Sequence, residues 1–406
     1  MARWHSQRAG YIFSMTQKRG GYVFEPLDPV RLRSSYSIKW QLYGAEVLPL
    51  WVADMDFPVA PEILDALRER LDHWLGYPPR NGDPKLLEAI IQRQKEHGWG
   101  GLEASHLWLI SGVVPGLYAA CLGLASAGDE VLTQVPIYPP FLTAVGDHGR
   151  VARHNPLIQT SAGYQIDFDQ LESLVTPAAR ILLLCNPHNP TGRVWTRPEL
   201  ERLAEFALKH RLYVVSDELH ADLVLEGTHI PFASISPEIS GRTVTLTGPC
   251  KTFNTAGLGI GAAISQNPAL LERMKKATAG VMAHPNAMSM AMWLAGLERG
   301  GPWRQAVLAY LRANRDYLAS FLKRELPQVN YFPPQATYLA WLDFRAFPFA
   351  RDIHKILLQE ARVGLNDGPP FGPGSEGFLR LNFAASRPVL QQALEQIAST
   401  LKSKTP

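Results

Sequence analysis

Cysteine is scarce in this chain, and so is any surplus of charge. Its 406 residues include 40 Lys and Arg against 37 Asp and Glu. Residues 1–20 hold Arg3, Arg8, Lys18 and Arg19 and no acid, so the rest is close to neutral and offers no basic surface for nucleic acid. Three cysteines, Cys121, Cys185 and Cys250, are spread out and odd in number, which argues against a disulfide framework and against a zinc knuckle. No metal site is expected, and a reducing cytoplasm is the expected setting. No apolar run approaches the roughly 20 residues that a membrane helix needs, so no membrane association is expected. Repeats and low-complexity tracts are lacking too.

What is present is an ordinary globular composition, 46% hydrophobic and 19% charged, on a chain long enough for two domains with substantial cores. The basic, Ser-containing start is weakly like a transit peptide. A flexible extension over 1–23, or a natural start at Met15, explains it better. Residues 24–60, rich in Pro, Trp and Tyr with no helical period, read as an extended arm of the smaller domain. Pro61 suits the first position of a helix, and Ile63, Leu64, Leu67, Leu71, Trp74 and Leu75 give it an apolar stripe.

From there strands and helices alternate: Leu107–Ser111, Leu117–Ala127, Glu130–Gln134, Ile181–Cys185, Arg197–Arg211, Leu212–Ser216 and Thr243–Thr247. Such alternation predicts an α/β domain with a mostly parallel sheet over 61–300. A smaller α+β domain over 301–406 follows. Pro302–Leu326 is its long helix, Thr337–Asp343 and Phe378–Phe383 are strands, and Ala350–Ala361 and Pro388–Leu401 are helices. Gly364–Gly377, dense in Gly and Pro, reads as one ordered loop over the site.

Three apolar runs end in polar residues. Thr243–Thr247 stops at Gly248-Pro249, and Lys251 follows in a short turn; the carboxyl ends of strands are where open α/β sheets bind ligands. Cys185-Asn186-Pro187-His188-Asn189-Pro190-Thr191-Gly192 ends a second run, and Ser216-Asp217-Glu218-Leu219-His220 a third. A solvated lysine or a carboxylate capping a helix would account for any one of these alone.

In this order and spacing, the three segments resemble fold-type I pyridoxal-phosphate (PLP) enzymes of the class I/II aminotransferase superfamily. Leu48-Pro49-Leu50-Trp51-Val52-Ala53-Asp54-Met55-Asp56-Phe57, with Ser37-Ile38-Lys39-Trp40, is similar to the MalY/PatB branch of cystathionine β-lyases and cysteine C–S lyases. The resemblance runs from about Phe24 to near the C-terminus. It implies PLP as cofactor and an amino acid as substrate.

It also implies roles for particular residues. Lys251 would hold the cofactor covalently and then act as the base that removes the substrate Cα proton. Asp217 would keep the pyridine nitrogen protonated. Asn189 and His220 would flank the ring hydroxyl, and Tyr138 would stack on the ring. Gly112, Val113 and Val114, between a strand and a helix, would cradle the phosphate with backbone N–H groups. Cys250 belongs to the same cofactor-contacting set. Arg380, with Asn189, would take the substrate α-carboxylate through its planar guanidinium. Glu218 and Arg193 are expected to serve the fold.

The pattern departs from many relatives at Gly248 and Cys250, where serine is usual, and at Gly259, where arginine is common. The phosphate then needs another donor. The resemblance supplies Tyr77 from the neighbouring subunit, and so a homodimer. Ser35-Tyr36-Ser37-Ile38-Lys39-Trp40-Gln41 and Pro78-Pro79-Arg80 also depart, near substrate recognition. The expected activity is β-elimination from L-cystathionine or another L-cysteine S-conjugate. A class I/II aminotransferase and a PLP-binding regulator acting through protein contacts are the alternatives.

Overall fold

The computed structural model describes residues 15–18, 21–24, 29–35, 37–79 and 81–404. It divides into two compact units: 60–189 with 193–301, and 1–59 with 190–192 and 302–406.

The larger unit is built on a seven-stranded sheet: β1 (Leu107–Ile110), β2 (Glu130–Val135), β3 (Val151–Pro156), β4 (Ala179–Cys185), β5 (Tyr213–Asp217), β6 (Thr243–Thr247) and β7 (Gly261–Ile264). The spatial order is β1-β7-β6-β5-β4-β2-β3. Every neighbouring pair is parallel except those made by β7, which runs antiparallel to β6 and to β1. The sheet is thus mostly parallel. The short β7, with its small residues, carries too weak a pattern to be read from sequence, and β3 was also missed.

Helices cover both faces, which is why the central strands read as unbroken apolar runs. Alternate residues of β4 divide between two cores. Ile181, Leu183 and Cys185 join one, with the helical residues Leu117, Cys121, Leu271 and Met274. Leu182 and Leu184 join the other, with the helical residues Leu200, Leu203 and Phe206. Each fully buried leucine contributes about 1.5–3 kcal/mol. The longer helices of this unit are α1 (Pro61–Leu71), α2 (Pro84–Glu96), α3 (Val113–Leu124), α4 (Arg197–Lys209), α5 (Pro268–Ala277) and α6 (Ala287–Arg299). Proline stands at the first turn of α1 as predicted. The predicted stripe is too long, however: α1 ends at Leu71, and Leu71, Trp74, Leu75 and Tyr77 are exposed. The start of α3 is four residues earlier than expected, at Val113.

The smaller unit has a four-stranded antiparallel sheet of β8 (Asn330–Tyr331), β9 (Leu339–Asp343), β10 (Asn366–Asp367) and β11 (Phe378–Asn382), in the order β8-β9-β11-β10. With it go α7 (Gly301–Glu325), α8 (Ile353–Gln359) and α9 (Arg387–Lys404). Two expectations are corrected here. The Gly364–Gly377 stretch is not a single loop: β10 pairs with β11 inside it, because its backbone needs partners along that edge. The 24–60 arm is not simply extended, since it contains helical turns at Pro29–Arg33 and Ile38–Gln41 and a Leu48–Pro49 strand paired with Val363–Gly364.

Of the expected extension over 1–23, residues 1–14 and 19–20 lie outside the described residues, while Met15–Lys18 pairs antiparallel with Gly21–Phe24. Arg80 and Tyr36 also lie outside them. Among the described residues no helix is long and apolar enough to cross a membrane, and no cluster of His, Cys, Asp or Glu could hold a metal ion.

Candidate active site

Strand register gathers the predicted cofactor residues of the larger unit along one sheet edge. Asp217, the last residue of β5, lies opposite Cys185 of β4 and Leu246 of β6. Thr133 of β2 lies opposite Leu183, so β2 ends level with β4. Thr247 lies opposite Ala262 of β7, and Gly261 opposite Ile110 of β1. Parallel strands that end at one level release their following turns on one side. Each predicted residue sits in such a turn: Gly112 just past β1, Tyr138 past β2, Asn189 past β4, His220 past β5 and Lys251 past β6.

Lys251 is half-buried in a turn closed by Phe253 N–H to the Pro249 carbonyl at 2.9 Å and Thr255 N–H to the Cys250 carbonyl at 3.1 Å. Cys250 beside it is also half-buried. Asp217 and His220 are buried, as is Asn189, whose N–H approaches Cys185 Sγ at 3.4 Å. Tyr138 packs half-buried against the core.

The Asp217 carboxyl is pushed up to about 7. Burial is the main cause and the neighbouring Glu218 charge adds to it, while a 3.0 Å hydrogen bond from Leu219 N–H and the charge of Lys251 act the other way. No helix directly follows β5, so this bond closes a turn and Asp217 is not a helix cap. Glu218 does serve the fold: its buried carboxylate accepts from Ser216 Oγ at 2.8 Å and Phe232 N–H at 2.9 Å, and lies 3.0 Å from His229 Nε2.

At the head of α3 no side chain caps the helix, and Gly112 takes φ 154°, a conformation other residues rarely adopt. The first N–H groups of a helix have no intrahelical acceptor, so Val113 and Val114 N–H suit an anion. The departures from the family pattern have a steric reason at Gly259, where an added Cβ would stand 2.8 Å from the Ser111 carbonyl oxygen.

An uncapped helix start, a desolvated carboxyl that a cationic ring nitrogen would satisfy, an amine and an aromatic ring together fit PLP. Tyr77, expected at the phosphate, is fully exposed in this chain.

In the smaller unit Arg380 is buried in the middle of β11. Its Nη2 donates to Asn366 Oδ1 at 2.6 Å, and its guanidinium lies 5.0 Å from the Phe371 ring centroid. The segment similar to the lyase branch runs alongside. Asn382 N–H donates to the Leu50 carbonyl at 2.8 Å, and Asn382 Nδ2 to those of Val52 and Asp54 at 2.7 and 2.6 Å. Tyr338 O–H donates to the Ala53 carbonyl at 2.8 Å.

The two branch segments are bonded to each other. Lys39 and Asp56 form a buried ion pair at 3.0 Å, and Trp40 Nε1 donates to Asp56 Oδ1 at 2.7 Å. Asn366, Phe371 and Asn382 were not singled out from sequence. Asn366-Asp367-Gly368 reads as turn residues, and a two-residue strand has no period to detect.

Residues 45–397 match the family model described as aminotransferase class I and II. The chain is 40% identical over 381 residues to cystathionine beta-lyase PatB of Bacillus subtilis (strain 168), covering 90% of this chain and 96% of that protein. It is 30% identical over 365 residues to protein MalY of Escherichia coli (strain K12), covering 88% and 93%. The crystal structure of cystalysin from Treponema denticola, which contains a pyridoxal 5'-phosphate cofactor, superposes with a TM-score of 0.88 at 32% identity, covering 92% of this chain and 98% of that one.

Proposed function

The chain belongs to the class I and II aminotransferase family, and on that premise we propose that it is a PLP-dependent carbon–sulfur β-lyase. It cleaves L-cystathionine or a related L-cysteine S-conjugate to pyruvate, ammonia and a thiol. The observation that carries the reading is the sheet edge at which Lys251, the buried Asp217 carboxyl and the uncapped start of α3 follow strands that end level. Kinship favours elimination over amino transfer, at 40% identity to a protein named cystathionine beta-lyase.

When bound, the cofactor supplies an electron sink for the pair left at Cα. Lys251 Nζ would hold the cofactor at its aldehyde carbon, and the free Lys251 amine would take the substrate Cα proton. Asp217 holds a proton on the ring nitrogen, and that N–H⁺ relieves the cost of burying its carboxylate. Val113 and Val114 N–H, beside Gly112, hold the phosphate. Tyr138 stacks on the ring, Asn189 and His220 flank its hydroxyl, and Cys250 contacts the cofactor beside Lys251. Arg380, with Asn189, takes the α-carboxylate and so fixes which Cα bond is broken. The Cα–H pair expels thiolate from Cβ, and the enamine released takes up water to give pyruvate and ammonia.

The same reading includes a homodimer in which Tyr77 serves the partner's phosphate site. The exposed Leu71, Trp74, Leu75 and Tyr77 support it, because so much apolar surface within seven residues marks an interface. The buried free thiols of Cys121 and Cys185 suit a reducing cytoplasm.

The test is one assay on the purified holoenzyme. Pyruvate and free thiol should appear from L-cystathionine without any added keto acid. Amino transfer that requires a keto acid, with no thiol released, would favour the aminotransferase. The absence of both would favour a regulator acting through protein contacts.

A further inference from the structure

Arg380 is held in a way that the proposed reaction has not yet used. Asn366 lies directly across from it in the β10–β11 ladder, so the two side chains stand on the same face of the sheet. Arginine has only donors, which fixes the orientation of the amide: the Asn366 oxygen must be the atom at 2.6 Å from Nη2. The guanidinium also packs over the buried Phe371 ring at 5.0 Å, which limits its tilt.

The neighbouring carboxylate, Asp367, is turned away from this contact: its Oδ1 accepts the N–H of Gly368 at 2.9 Å. Asn366, which shares Nη2 with the Trp51 carbonyl at 3.5 Å, is thus a neutral acceptor although an acid stands next in the chain. That choice has a consequence for any anionic ligand. A carboxylate at 366 would cancel the guanidinium charge and compete for its donors, whereas an amide orients the plane and leaves the charge in place.

We infer that Asn366 is a positioning residue that sets the Arg380 guanidinium for the substrate α-carboxylate without placing a negative charge beside it. The inference rests on the reading of Arg380 as the carboxylate-binding residue, and the test separates the two. L-Alanine has no leaving group at Cβ, and ethylamine is its decarboxylated counterpart. Titrating the holoenzyme with each, and following the cofactor's visible spectrum, gives a ratio of affinities that reports carboxylate recognition without turnover.

Arg380→Ala should collapse that ratio. Asn366→Ala should lower it about ten- to a hundredfold, the effect of one hydrogen bond to a charged group. Asn366→Asp, similar in size, should lower it further, and Asn366→Ser, a shorter neutral acceptor, should retain more of it than Asn366→Ala. A residue that merely holds the sheet together would give variants that unfold more easily but keep the wild-type ratio. If Arg380→Ala collapses the ratio while all three Asn366 variants preserve it, the inference is overturned and the role of Arg380 survives. If Arg380→Ala itself leaves the ratio unchanged, the carboxylate reading fails and the inference goes with it.

Discussion

The two groups of site residues are held in opposite ways. In the larger unit Lys251, Asn189, Tyr138 and His220 sit in turns just past strands, and their positions follow from where parallel strands stop. In the smaller unit Arg380 stands inside a strand. Its partner Asn366 is 14 positions away, and the carbonyls held by neighbouring Asn382 are 328 and 330 positions away. A turn residue can change its chemistry while the sheet beneath it stays folded. Residues that secure the surroundings of Arg380 are also fold residues, so chemistry and stability are coupled there.

The largest effect should come from Lys251→Ala. Turnover should fall by about a thousandfold or more through loss of the general base, while the unfolding midpoint of the cofactor-free protein stays near wild type. A large drop in that midpoint would remove the contrast between the two regions.

Lys39→Met tests the other side. It leaves Asp56 buried without its partner and should cost about 3–5 kcal/mol in urea unfolding, with only part of the loss recovered by adding Asp56→Leu, which takes the acceptor from Trp40 Nε1. A cost below about 1 kcal/mol would mean that the branch segments are not anchored by this pair.

Asp217 gives a pH signature. Its folded-state value, about 7, lies above the ordinary 3.8, so between these the folded protein binds the extra proton and stability falls as pH rises. The loss levels off above the folded value and amounts to at most about 4 kcal/mol at 1.36 kcal/mol per unit. Asp217→Asn in the cofactor-free protein should remove this slope while abolishing most activity with the cofactor. An unchanged slope, read from denaturation between pH 4 and 8, would locate the titration elsewhere.

The smallest expected effect is at Tyr77. Tyr77→Phe should weaken cofactor binding by about 1.5–3 kcal/mol, the value of a hydrogen bond to a charged group. Mixing inactive Lys251→Ala and Tyr77→Ala chains should restore part of the activity, because one site of each hybrid dimer is intact. No recovery despite demonstrated subunit exchange would exclude a Tyr77 contribution across the interface.

The contrast also explains what the sequence disclosed. Apolar runs ending in Asn-Pro, Asp-Glu or Gly-Pro reveal strand ends, so the turns that carry Lys251, Asp217 and Asn189 could be placed on the sheet, although their roles came from the resemblance. Arg380 could be named only by resemblance, and Asn366 not at all, because a short antiparallel contact is set by tertiary register rather than local pattern. The Trp74–Leu75 end of the predicted stripe misled for a related reason. Helical spacing records that an apolar face is to be covered, but not whether this chain covers it. Lys39 and Asp56 were legible as parts of two branch segments, while their mutual ion pair became apparent only in the fold.

The most direct test of the account is to reduce the holoenzyme with borohydride, digest it and map the cofactor-bearing peptide. The predicted result is a single modified lysine, Lys251, in the peptide that contains Thr252-Phe253-Asn254. Cofactor fixed to any other lysine, or none fixed at all in a protein that still turns over, would contradict it.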